Sequence, residues 1–339
     1  MHPLAARFTA FAAETDGSSP LYRRLSLAIA ENDAILDLAA RAMPGQLQPN
    51  MLFGAVQLLL AQDLAHPLAA FYPSLTAAPI DGDPSPAFAA FCAEHSAALG
   101  AIIAARRVQT NEVRRSGLLL PAFGLVSAEA GLPLALIEIG SSAGLNLRWD
   151  TYGYRYGERR VGAASAPVQL SVAPRSPVPL PDTMPAVDWR VGVDLAPVDT
   201  ADGAAVAWLR ALIWPEHAER FALLDAAIAE LRRDPPRIIA GDALALLPGL
   251  LAEAPAGAAR CVYDTFTVNQ LTPGGRAELE RQIAAASLDA PVWRIHLGWE
   301  SGAAPELSLT RYAAGAQHRR ALARCDPHGA WIAWRDLAT

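Results

Sequence analysis

The sequence contains no lysine; its 28 basic residues are all arginine. A lysine Schiff base, the lysine of a phosphate-binding P-loop and a lysine general base are therefore excluded. Cysteine is scarce as well. Cys92, Cys261 and Cys325 are odd in number, far apart and free of any CxxC pairing. That excludes a disulfide framework or a cysteine-based zinc site and suits a reducing, cytoplasmic location. The seven histidines form no HExxH or other close pair, so no metal is expected. Charged residues reach only 18% and the formal net charge is −6. That balance argues against a nucleic-acid binder with a broad basic surface and leaves a small molecule as the expected partner.

Targeting and membrane signals are also missing. The opening MHPLAARFTAFAAETD lacks the basic-then-apolar layout of a signal peptide, because Glu14 and Asp16 interrupt it. The one apolar stretch near span length, Leu118 to Ile139, contains Pro121, Glu129, Gly131, Pro133 and Glu138. It reads as a buried helix followed by a buried strand. No membrane partner is expected.

What is present is alanine, about a fifth of the 339 residues, within a hydrophobic fraction of 52%. Residues 1–130 read as a helical lobe. Ser19-Pro20 is a helix start with a serine cap, and Pro49 opens a helix with Met51, Leu52, Val56, Leu59 and Leu60 on one face. Ser85-Pro86 begins a long alanine-rich helical pattern. From residue 131 to 339 the texture is α/β. LALIEIG has the look of a central parallel strand, and WRVGVDL, RIIAGD, RCVYD and VWRIHLGW are further strands with helical stretches between several of them. This alternation predicts a doubly wound, mostly parallel Rossmann-type sheet. The C-terminal ELSLTRYAAGAQHRRALARCD and AWIAWR predict an antiparallel strand pair closing it, and about 151–185 is a strand-rich insertion.

The most informative segment runs from Glu138 through Gly140, Ser141, Ser142 and Gly144 to Asn146. It follows a buried strand and opens a helical turn, where glycines admit a ligand close to free backbone N–H groups. Acid-x-Gly-x-x-x-Gly matches the first motif of class I S-adenosylmethionine (SAM)-dependent methyltransferases, with Ser142 in place of the middle glycine. Gly140-Ser-Ser142-Ala-Gly144 also satisfies G-x-S-x-G, the nucleophile elbow of α/β-hydrolases. Asp242 or Asp264 and His296, His318 or His328 would complete a triad. Against the hydrolase reading stand the helical region before the turn and the lack of an HGGG-like oxyanion segment.

Carboxylates at neighbouring strand ends suit a nucleoside cofactor. Asp194 is placed to take the ribose and Asp242 the adenine side, provided that residues 151–185 are an insertion. A helix cap is the plain alternative for each. Asp264, at the end of the fourth core strand, is the candidate for substrate contact or general base, with a helix cap again the alternative. His296 reads as a core or rim histidine. The polar run Gln109, Thr110, Asn111 and Glu112 lies just before the sheet and could line a cleft, or be a solvated helix face. Trp214, with Trp208 and Arg210, could stack on a planar ligand or pack a core.

HPLAAFYPS (66–74), RRVQTNEVRRSGLLLPA (106–122), LALIEIGSSAGLNLRWDTYGY (134–154), VGVDLAPVD (191–199) and WLRALIWPE (208–216) together resemble a bacterial family catalogued as domain of unknown function number twenty-three thirty-two. The resemblance implies a methyltransferase-like Rossmann fold with no settled reaction and transfers no substrate. It gives Gln109, Thr110, Asn111 and Glu112 more weight, because they stand in a family signature. The expectation is a SAM-dependent methyltransferase acting on a small molecule. The alternatives are a serine esterase using Ser142 and a non-catalytic SAM or nucleotide binder.

Overall fold

The computed structural model describes residues 2–109, 111–300 and 304–335. The chain divides into two compact units: residues 1–110 with 201–222, and residues 111–200 with 223–339.

The first unit is helical: α1 (Ala5–Glu14), α2 (Pro20–Ile29), α3 (Asp33–Ala39), α4 (Gln48–Leu60), α5 (Ser85–Glu94), α6 (Ser96–Ala105) and α8 (Gly203–Ala211). The expected start at Ser19-Pro20 is there: the Ser19 hydroxyl accepts from Tyr22 N at 3.2 Å, and Pro20 needs no donor at the first position. α4 departs from the one-faced pattern. Every residue from Met51 to Gln57 is buried, so it is the hub of this unit rather than an amphipathic surface helix. Phe53 stacks on Tyr22 with centroids 4.1 Å apart. Gln57 donates to the carbonyls of Ala211 and Ile213 at 3.1 and 2.7 Å, which ties in the end of α8. The long helical pattern after Ser85 breaks at His95, where α5 and α6 meet at 83°. Among the described residues no single helix is long and apolar enough to cross a membrane.

The second unit is an α/β fold around an 11-stranded mixed sheet. Its strands are β1 (Leu134–Ile139), β2 (Gly153–Tyr156), β3 (Arg159–Val161), β4 (Gln169–Pro174), β5 (Val187–Asp194), β6 (Ile238–Ala240), β7 (Ala259–Thr265), β8 (Val292–Gly298), β9 (Glu306–Ala313), β10 (Ala316–Cys325) and β11 (Trp331–Trp334). Their order is β3-β2-β4-β11-β10-β9-β8-β7-β1-β5-β6. β6, β5, β1, β7 and β8 are mutually parallel. The first of these five in the chain sits in the middle, the next two lie to one side and the last two to the other. Such an order reverses direction between β1 and β7, and in open α/β sheets ligands bind outside the carboxyl ends of the strands at that point.

Alternation along β1 assigns its side chains to two faces. Ile137 and Ile139 join Val191, Val193 and Val262 in a core with α10 (Ala243–Glu253) and α11 (Pro273–Ala286). On the other face lie α7 (Arg115–Ala130) and a 3-10 segment, Leu145–Thr151, joined by Phe123 stacked on Trp149 at 4.4 Å. α7 thus belongs with the sheet, although sequence texture groups it with the preceding helices. α9 (Ala218–Arg233) crosses the division between the units.

One expectation needs correction. The inserted strands β2, β3 and β4 extend the main sheet, because β4 pairs in parallel with β11. The C-terminal strands therefore pair antiparallel as expected but do not close the sheet; β3 forms that edge. The reason is that β11 offers an unpaired edge which the insertion covers.

Candidate functional site

The turn after β1 is built from positive backbone angles: Gly140 at φ 75°, Ser142 at 50° and Gly144 at 81°. Ser142 is in the left-handed region, uncommon for a residue with a side chain and frequent at functional turns. A Cβ at Gly140 would collide with Thr267, and one at Gly144 would lie 2.9 Å from Ile238. Gly192 of β5 has no side chain where Ser141 needs room. Val193 O receives the N–H groups of Gly140 and Ser141 at 2.7 and 3.2 Å, and Gly144 N closes the turn on Ser141 O at 2.7 Å.

Asp194 stands where a ribose acid is expected, at the end of β5, yet its carboxylate also holds the turn. Its Oδ2 accepts from Ser142 N and its Oδ1 from Ala196 N, each at 2.8 Å. Leu195, next in sequence, is 79% exposed. Asp242 caps α10 by accepting from Leu244 N at 2.8 Å, the plain role open to it from sequence. Asn146 is buried, with its side-chain oxygen taking the Ser116 hydroxyl at 2.7 Å and its carbonyl taking the Tyr263 hydroxyl at 3.2 Å. Glu112 is buried and held by Arg114, whose N–H donates to it at 3.2 Å.

Glu138 is only 1% exposed. Burial pushes its carboxyl well above the usual carboxylate range; Tyr263 and Arg115 oppose the shift, while Asp194 and Asp264 add to it. Four buried polar atoms around this turn have no hydrogen-bond partner: Glu138 Oε2, Ser141 Oγ, Ser142 Oγ and Asn111 Oδ1. Asn111 is aimed at the turn, donating from Nδ2 to Ser141 O at 3.1 Å. Buried polar atoms are nearly always paired, so four orphans around one turn mark a place that a polar ligand can complete.

Asp264 lies one strand away, beyond the switch point. Its Oδ1 meets His296 Nδ1 at 2.8 Å and its Oδ2 accepts from Val268 N at 3.0 Å. Phe266 follows it at φ 65°, with the Arg115 guanidinium 4.4 Å over its ring. His318 is exposed on β10, and no histidine pairs with the Ser142 hydroxyl among the described residues.

The structure thus gathers Asn111, Glu138, Gly140, Ser141, Ser142, Gly144, Asn146 and Asp194 into one site, with Asp264 across the switch point. Gln109 and Trp214 belong to the helical unit, where Trp214 packs against Phe11 and Tyr22. Thr110 lies outside the described residues. Sequence reasoning missed Leu195, Thr267 and Phe266. An apolar residue after a strand-end acid would have pointed to the first; the other two carry no local signal. Among the described residues there is no group of three or more His, Cys, Asp or Glu able to hold a metal.

A family described as "Uncharacterized protein conserved in bacteria (DUF2332)" matches residues 5–334, and the chain belongs to it. Searches of curated proteins and of solved structures returned no match.

Proposed function

We propose that the sheet unit binds S-adenosylmethionine at the turn after β1 and that the protein is a methyltransferase acting on a small molecule. The observation that carries this reading is the set of four unpaired buried polar atoms around a turn at the switch point of the sheet. The residues fit the group. Glu138 and the Gly140–Gly144 turn would hold the amino-acid part, with the Ser141 and Ser142 hydroxyls and Asn111 completing its hydrogen bonds. Asp194 has lone pairs left for ribose hydroxyls, and exposed Leu195 offers an apolar face to a purine. Asp242 is spent on its cap, which weakens its assignment to the adenine side.

When bound, the cofactor supplies an electrophilic methyl group on a sulfonium. This chain's residues would orient it and exclude water, which are the main demands of such a transfer. Hydrogen-exchange mass spectrometry with saturating SAM tests the placement. Peptides covering 138–146 and 191–198 are expected to exchange more slowly, and unchanged exchange in both would overturn it.

A further inference from the structure

The pair Asp264–His296 is not used in holding a nucleoside. The two residues are direct neighbours in the register of β7 and β8, and both are buried. A buried carboxylate is costly unless its lone pairs are filled, and here both oxygens are engaged, by His296 Nδ1 and Val268 N. A carboxylate only accepts, so in the neutral ring the proton sits on Nδ1 and the lone pair on Nε2. Nε2 is directed toward the carboxyl ends of the strands, 3.6 Å from Glu300 Oε1 just beyond β8. That end of the sheet also carries Phe266, in its left-handed conformation, and Trp299, which is 48% exposed.

We infer that His296 is the general base of the reaction and Asp264 its positioning residue, and that the acceptor is a hydroxyl on a planar, phenol-like body. This rests on the methyltransferase reading above. A hydroxyl needs a base at neutral pH, whereas a thiol is already partly ionised. The aromatic edges of Phe266 and Trp299 suit a flat acceptor. In the step, the acceptor O–H bond would break, its proton bonding to His296 Nε2, and its electron pair would form the bond from oxygen to the methyl carbon as that carbon's bond to the sulfonium breaks, the sulfur keeping that pair and leaving as a neutral thioether. Asp264 stabilises the imidazolium, as Glu300 does from the other side, with Arg319 paired to Glu300 at 2.9 Å. Ser308 of β9 stands across from His296 and carries no charge.

Two readouts test this without a known acceptor. Long-range proton–nitrogen NMR of histidine-labelled protein is expected to show the neutral His296 ring protonated on Nδ1. Asp264→Asn should move that proton to Nε2, because the amide can donate to Nδ1. Methyl p-nitrobenzenesulfonate, an aryl methylating reagent, is expected to alkylate His296 Nε2 in the wild-type protein, about 10²-fold or more slowly in Asp264→Asn. An Nε2-protonated ring in the wild type, or no alkylation of His296 while exposed His318 reacts, would overturn the assignment. Calorimetry with SAM separates the two proposals. Absence of binding with both readouts intact removes the cofactor and leaves the base.

Discussion

The backbone N–H of Ser142 donates to Asp194 Oδ2 at 2.8 Å, so the end of β5 fixes the left-handed turn that follows β1. One carboxylate thereby holds the turn, and under the proposal above it would also take the ribose. Asp194→Ala should lose both N–H partners, at Ser142 and Ala196, and destabilise the sheet unit by about 1–3 kcal/mol. Asp194→Asn keeps one acceptor oxygen and should lose less. Urea unfolding of both variants checks the order, and equal losses would contradict it.

Gly140→Ala should be destabilising for two reasons that can be separated. Its φ of 75° strains any side chain, and the new methyl collides with Thr267. The expected loss is about 1–3 kcal/mol. Measured against Thr267→Gly alone, the double variant should recover the steric part and retain a backbone penalty of about 1 kcal/mol. Thermal unfolding of the four proteins gives the coupling.

Glu138 makes stability depend on pH in a definite direction. Its folded-state carboxyl lies well above the ordinary carboxylate range because it is buried. The folded state therefore holds this proton at pH values where the unfolded chain has released it. Its contribution is fully present below the unfolded value and is lost as pH rises through the folded one. Glu138→Gln should flatten that loss in unfolding free energy measured from pH 4 to 8. A cationic ligand group beside Glu138 would draw the proton off, so SAM should bind with proton release and more tightly as pH rises. Titration in buffers of different ionisation enthalpy measures this.

Gln57→Leu tests whether residues 201–222 belong to the helical unit. The substitution strips the partner from the carbonyls of Ala211 and Ile213 and from the Ser74 hydroxyl. Leaving buried groups unpaired costs about 1–3 kcal/mol each, so a loss of that size or more is expected by denaturant unfolding. A change within about 0.5 kcal/mol would contradict the placement.

Local chemistry made much of this site legible. A buried strand ending in Glu138 and a glycine-bounded turn announced the loop, and strand-end aspartates named Asp194. Long-range pairing was not legible. Nothing in PVQLSV indicates that β4 will lie beside β11, because that contact depends on an edge formed far away in the chain. The break at His95 was hidden because alanine favours helix on both sides of it. Asp264 and His296 were each visible, the first as a candidate base and the second as a core histidine. Only the register of β7 against β8 makes them one group.

Calorimetric titration of the wild-type protein with SAM and with its demethylated product tests the central claim most directly. Saturable binding of one molecule per chain, weakened in Asp194→Ala and altered in its proton release in Glu138→Gln, is the predicted result. No heat of binding from either compound at millimolar concentration, about 4 kcal/mol of affinity or less, would contradict it.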